Sequence, residues 1–282
     1  MTTPPELTDR AALERQRERA LRSDAPALFL HEEAADEVQE RLTEVNRHFT
    51  TPAVITPFPQ VWSPLFPEAR IVPDTEALDL EPQAHDLVVH ALSLHWANDP
   101  VGQLVQARRA LKPDGLFLGV LFGGRTLQEL RATLAEAEAA QTGGLSPRVL
   151  PMGEIRDLGA LLQRAGFALP VADSNLRQVS YASALHLMRD LRAMGETNAM
   201  TLRRRAPTRK SVLLDAANRY AQAYAAPEGR VMASFETVFL TGWAPDESQP
   251  KPLRPGTASR SLAEALGTEE FATGDIARPK RD

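Results

Sequence analysis

The side chains best suited to chemistry gather in a few short segments of this chain. Residues 90–96, H-A-L-S-L-H-W, bring together His90, Ser93, His95 and Trp96. Imidazole titrates near neutral pH, which makes His95 the candidate for acid–base work. The alternative is that His95 and Trp96 fix a strand-to-helix corner by packing. Gly123-Gly124-Arg125 combines two glycines that permit close backbone approach to a ligand with an arginine able to bind a carboxylate. A tight turn and a solvated arginine account for the same three residues. Glu196 and Asn198 are either polar groups of a pocket or the ordinary polar loop after a glycine-ended helix. The run Arg203, Arg204, Arg205, Arg209 and Lys210 suits an acidic partner, or forms a solvated face.

Composition narrows what those groups can do. The chain has 282 residues, 43% of them hydrophobic, with a formal net charge of −5. That balance excludes a nucleic-acid protein, which needs a positive field against phosphate. With no cysteine there is no disulfide, thiolate nucleophile or cysteine metal site. Six histidines without HxxxH or HExxH spacing leave no metal motif. No apolar run reaches the roughly 20 residues that cross a bilayer. The arginine-rich stretch 9–22 has acids interleaved at Glu6, Asp9, Glu14, Glu18 and Asp24, which transit peptides avoid, so a cytoplasmic protein is expected.

The elements that must position these groups read as α/β. Residues 27–47 have helical spacing, 53–56 form a short strand, and four prolines in 57–67 bar a continuous helix. Residues 70–72 are a second short strand ending near Asp74. Asp86 opens an apolar run suited to a buried parallel strand, and Asp99-Pro100 caps the helix that follows. Pro113-Asp114-Gly115 turns the chain into the strand 116–122, which completes a strand-helix-strand crossover. Thr126 and Glu129 have capping-box spacing ahead of a helix that stops before Gly143-Gly144. A helix ending at Gly166 follows, then strands at 167–171 and 177–181, then a helix presenting Leu185, Met188, Leu191 and Met194. A further helix covers 212–224 and a strand 231–243, with a weak helix at 262–266. In a doubly wound sheet ligands sit beyond the carboxyl ends of the strands, the edge at which His90, Ala91, Ser93, His95, Trp96 and Arg125 fall. Asp86, at the opposite end of its strand, is structural.

The segment D-L-V-V-H-A-L-S-L-H-W-A-N-D-P at 86–100, with L-K-P-D-G-L-F-L at 111–118, resembles class I S-adenosylmethionine-dependent methyltransferases. Within them it is similar to malonyl-acyl-carrier-protein O-methyltransferases and to the mitochondrial complex I assembly factor described as an arginine hydroxylase. F-G-G-R-T-L-Q-E-L-R, G-G-L-S-P-R, D-L-R-A-M-G-E-T-N-A and T-G-W-A-P-D-E-S-Q-P favour the second. The resemblance implies S-adenosylmethionine as cofactor, with Asp74, His90, Ala91, Ser93 and Trp96 around it, whereas Asp74 taken by itself reads as an exposed turn aspartate. It also implies a substrate side with Arg125, Glu196 and Asn198 under a helical cover. A complex I subunit or an acyl carrier protein is the partner it implies.

One departure is plain. The first 101 residues contain no glycine, and the first strand runs into Pro57-Phe58-Pro59, where the resemblance calls for a G-x-G-x-G loop. Proline fixes φ and removes the N–H that such a loop would offer. About thirty residues separate the first strand from the one at Asp86, room for one strand-helix-strand unit, so the sheet is expected to lack at least one strand and helix. The expected fold is a Rossmann-like, class I methyltransferase-like sheet with a shortened N-terminal half. Its parts are a helical extension (1–48), the α/β domain (49–244, with the cover at 182–228) and a tail rich in proline and charge (245–282). The function to expect is protein maturation, an active methyltransferase or an inactive scaffold.

Overall fold

The computed structural model describes residues 6–250, and its first compact unit ends at Asp246. Two helices lead in, α1 (Arg10–Leu21) and α2 (Phe29–Val45). They are followed by β1 (Pro52–Ile55), α3 (Pro59–Trp62), β2 (Arg70–Val72), β3 (His85–Ala91), α4 (Pro100–Ala110) and β4 (Leu111–Phe122). The second half contains α5 (Gln128–Thr142), α6 (Ile155–Ala165), β5 (Ala168–Tyr181), α7 (Ala184–Ala193), α8 (Lys210–Ala223) and β6 (Val231–Trp243).

Six strands form one sheet in the order β2-β1-β3-β4-β6-β5. The first four pair in parallel, and β6 runs antiparallel between β4 and β5. The winding direction reverses between β1 and β3, because β2 lies on one side of β1 and the chain then crosses to the other. This is the class I methyltransferase-like arrangement, and its N-terminal half is short: β2 is the edge, with α7 and α8 inserted ahead of β6.

Side chains alternate across the buried strands as the pleat requires. From β3, Leu87, Val89 and Ala91 enter the core under α2, α5, α7 and α8, whereas Val88 enters the core under α4 and α6. From β4, Leu118, Val120 and Phe122 face the first core, Phe117 and Leu121 the second. Each leucine, valine or phenylalanine among them, fully buried, contributes on the order of 1.5 to 3 kcal/mol. Asp99 caps α4, its Oδ1 accepting from the Gly102 N–H at 2.8 Å.

Several elements differ from the sequence reading. The polar segment before residue 26 contains α1, capped by Asp9. β4 starts at Leu111, and its pairing with β3 shifts before Leu87 and Leu116 meet. The two strands expected at 167–171 and 177–181 are one long strand, β5. Thr126 and Glu129 make no capping box: Thr126 exchanges hydrogen bonds with the Glu236 backbone, and Glu129 accepts from the Ser234 N–H and hydroxyl. On α7, Leu187 is buried and Leu185 is exposed. The helix expected at 262–266 lies outside the described residues.

Candidate functional site

β3 ends in a left-handed Leu92 (φ 48°) and a 3-10 turn at Leu94–Trp96, which carries His95 and Trp96 beneath the end of α7. There the Glu196 N–H bonds back to the Leu191 carbonyl and Gly195 adopts φ +78°, so the chain reverses sharply and Glu196 points inward. Glu196 Oε2 accepts from Trp96 Nε1 at 2.7 Å and lies 3.4 Å from His95 Nε2. Burial pushes this carboxyl up, but His95, the Arg17 charge and the Trp96 bond outweigh it and hold Glu196 below the usual range. The side chains of His95 and Glu196 are 2% and 8% exposed, so this hydrogen-bonded cluster is sheltered from water. His95 Nδ1 and Glu196 Oε1 have no hydrogen-bond partner among the described residues.

Above this cluster is an apolar cavity of about 140 Å³. Its walls are Leu130 and Leu134 of α5, Leu150 and Met152 of the following loop, and Met188, Leu191 and Met194 at α7, with Trp96, Phe122 and Phe235 beside them. Glu196, Asn198 and Arg148 are among its polar members, with Thr126 and Thr197. Arg148 is fixed by Glu138, whose carboxylate also accepts from Ser146. Those bonds, led by Arg148, bring the Glu138 pKa down to about 2. A second cavity, about 260 Å³, shares Phe122 and Met152 with the first and includes His95 in its lining.

Asp74, at the end of β2, faces neither cavity. Both its carboxylate oxygens accept from Arg17 Nη1, at 3.0 and 2.9 Å, and Arg10 Nη1 lies 3.4 Å away. The two guanidinium charges overcome burial and keep it ionised well below the ordinary aspartate range. Asp74 also borders an outer cleft of about 450 Å³ whose other charged walls are Glu6, Arg10, Glu76 and Asp99.

The expected site residues therefore separate. His95, Trp96 and Glu196 meet, and Asn198 joins the same cavity, although its amide bonds the Pro147 carbonyl. His90 and Ser93 are buried and bonded to each other, with Nδ1 and Oγ 3.5 Å apart, and Ala91 is packed in the core. Arg125 is exposed and outside the cavity lining. Gly123 serves packing and not ligand approach: a Cβ there would fall 2.6 Å from Glu236 Oε2 and 2.8 Å from Val238 Cγ2. Of the basic run, Arg203 bonds Asp9 and the Met200 carbonyl, so part of it is used internally. Arg17, His31, Phe58, Trp62, Arg148 and Glu138 escaped the sequence reading. A signal for Arg17 was present: it falls on the buried stripe of α1 with Leu13 and Ala20, a place where arginine needs a partner.

S-adenosylmethionine does not fit these residues. After β1 the Phe58 N–H is spent on Thr56 Oγ1, and Pro57 has none. Phe58 and Trp62 are fully buried, with the His31 ring edge-on to Phe58 at 4.6 Å. Both Asp74 oxygens already accept from Arg17, and Arg10 stands beside them.

A methyltransferase-domain profile matches residues 60–119. The arginine-hydroxylase NDUFAF5, mitochondrial, of Danio rerio is 40% identical over 198 residues, 70% of this chain and 61% of that protein. The Homo sapiens protein of the same name is 41% identical over 198 residues, 70% of this chain and 57% of its own length. The malonyl-[acyl-carrier protein] O-methyltransferase of Nitrosospira multiformis is 34% identical over 172 residues, covering 61% of this chain and 53% of that protein. The chain thus spans somewhat over half the length of these relatives. Among solved structures, a Bacillus halodurans putative methyltransferase aligns at TM-score 0.45 and 13% identity, over 73% of this chain and 98% of that one.

Proposed function

We propose that this homologue of the arginine-hydroxylase NDUFAF5 proteins is a protein-maturation factor, of the kind that assists assembly of respiratory complex I. It works through the cavity under α5 and α7 and not by methyl transfer. The observation that carries this reading is the sheltered His95–Glu196–Trp96 cluster beside an apolar cavity, in a chain whose crevice over β1 and β3 is filled by its own side chains. An ionised, partly unbonded carboxylate next to apolar walls suits a side chain with an alkyl stem and a hydrogen-bonding cationic head. The arginine of the relatives' name has that chemistry. His95 is the group to hold or move a proton at Glu196, and Asn198 and Arg148 shape the cavity's polar side. Asp74, His90, Ala91 and Ser93 support the fold beneath them, and Arg125 takes no part.

The cytoplasm is the compartment this reading assigns, although the NDUFAF5 relatives are mitochondrial by name. No helix among the described residues is long and apolar enough to cross a membrane. Deleting the gene should lower complex I activity in the host, and wild-type protein but not Glu196→Ala should restore it. Unchanged complex I assembly would sink the reading. A second reading, methyl transfer to an acyl carrier protein, is favoured by the malonyl-[acyl-carrier protein] O-methyltransferase relatives and by the basic residues at 203–210. It requires S-adenosylmethionine binding, which calorimetry tests directly.

A further inference from the structure

A doubly wound sheet receives ligands in the crevice outside the carboxyl ends of its strands, at the point where winding reverses. Here that crevice lies between β1 and β3, and Asp74 stands after β2 on its β2 side, where it also borders the outer cleft. Arg17 of α1 reaches into it with only 4% of its surface exposed. An arginine buried this deeply costs several kcal/mol in lost hydration unless a carboxylate meets it. Asp74 meets it through both oxygens, and Glu196 adds a second negative charge nearby.

We propose that α1 is a built-in occupant of this crevice, with the Arg17 guanidinium standing at Asp74 where a ligand's hydrogen-bonding group would stand. The crevice is thereby closed to nucleoside ligands. Three features show that the rest of the chain is shaped to this docking. The Asp9 N–H donates to the Ala199 carbonyl at 2.8 Å, Thr8 exchanges two hydrogen bonds with the Asn98 side chain, and Arg203 holds Asp9. Leu13, fully buried, packs with Trp96, Leu150, Ala199 and Met200 in a small core of its own. Gly195 lies so close beneath α1 that a Cβ there would come within 3.0 Å of the Arg17 Cα. A helix that swings away as a lid has no need of so close a backbone fit. On the β1 side His31, Phe58 and Trp62 complete the filling, all buried.

Two measurements on the full chain decide the matter. Hydrogen exchange followed by mass spectrometry should show peptides within residues 13–21 exchanging at least 100-fold more slowly than unstructured chain. Exchange there at the unstructured rate would overturn the proposal. Calorimetry with S-adenosylmethionine, S-adenosylhomocysteine and adenosine at 1 mM should give no saturable heat, and saturable binding of any of the three overturns it. A double-mutant cycle supplies a third reading. Arg17→Met and Asp74→Asn should each lower the urea midpoint, and the double variant should lose clearly less than the sum. Strictly additive losses would mean that the two side chains do not act together, and would overturn it.

Discussion

Acidification should destabilise this protein through its buried histidines, His31 and His90, before it reaches the carboxylates, and the share of His90 can be isolated. His90 lies on β3 with 1% of its surface exposed. Its Nε2 faces Gln103 Oε1 at 3.2 Å, and the Gln103 amide nitrogen is already bonded to the Thr75 carbonyl. Gln103 therefore presents an acceptor, His90 Nε2 carries the proton, and Nδ1 is left to accept from Ser93. Burial, opposed by the Asp74 charge and the Gln103 bond and assisted by His95 and Arg10, brings the His90 pKa down to about 4. In the unfolded chain the same ring titrates near pH 6.5. Between those values the unfolded state binds a proton that the folded state refuses, so stability falls as pH falls. Above pH 6.5 the ring is neutral in both states and contributes nothing. At about 1.4 kcal/mol per pH unit, this one group removes about 3 kcal/mol by pH 4. Asp74, with its lowered pKa, supplies stability that is lost only below its ordinary value of about 4, so the two windows separate. The assay is urea denaturation at pH 7.5, 6.0, 5.0 and 4.5 for wild type and His90→Gln, which keeps an amide donor toward Gln103. Wild type should lose about 2 kcal/mol more than the variant between pH 6.0 and 4.5. Parallel pH curves would show that His90 is not excluded from protonation, and would refute the reasoning.

Three further outcomes follow from the same geometry. Gly195→Ala puts a Cβ at φ +78° and 3.0 Å from the Arg17 backbone, and should cost about 1 to 3 kcal/mol by urea denaturation. Wild-type stability in that variant would mean α1 does not rest on Gly195. Glu138→Ala removes the carboxylate that anchors Arg148 and Ser146, leaves a guanidinium 14% exposed with only the Thr208 hydroxyl in place of an opposite charge, and should cost about 3 kcal/mol. Proteolysis of residues 143–152 should accelerate with it, and an unchanged cleavage rate would contradict the anchoring. Trp96→Phe keeps an aromatic six-membered ring but deletes the donor to Glu196 together with the pyrrole half of a buried indole; the bond to a charged group alone is worth about 1.5 to 3 kcal/mol, and the vacated space adds to the loss. A loss in urea denaturation far below that range would show the bond idle.

The second half of the fold was legible because its signals are local. Asp99-Pro100 could open only a helix, and the apolar runs 87–89 and 116–122 could only be buried strands between Pro, Asp and Gly. α1 was not legible, because its stripe is short and includes Arg17, whose burial makes sense only when Asp74, 57 residues on, is known to lie opposite. The single strand β5 was read as two because the polar run Asp173-Ser174-Asn175 looks like a loop until β6 is paired along it. Thr126 and Glu129 matched a helix cap, but their partners are across the sheet edge in β6, and a four-residue spacing carries no information about those. At the site, His95 and Trp96 were visible as chemistry. The carboxylate that joins them is 100 residues away and was one of two plausible polar groups on a loop.

The pattern of what is buried argues for one history of constraint over another. A carboxylate at the end of β2 is stable when a ligand or solvent satisfies it, and it becomes a liability once the sheet is shortened and helices close over it. Two remedies exist, loss of the charge or supply of an opposite one. This chain has the second: Arg17 and Arg10 balance Asp74, and His31, with its pKa down to about 3 from burial, stays neutral beside them and adds no further charge. The balance ties the three residues together. Asp74→Ala alone strands a buried guanidinium and should cost more than the paired change Asp74→Ala with Arg17→Met, which buries two apolar groups in the same space. The reverse ranking, with the pair worse than the single change, would mean that Arg17 is held by Glu196 and not by Asp74, and that the crevice is organised from the α7 side.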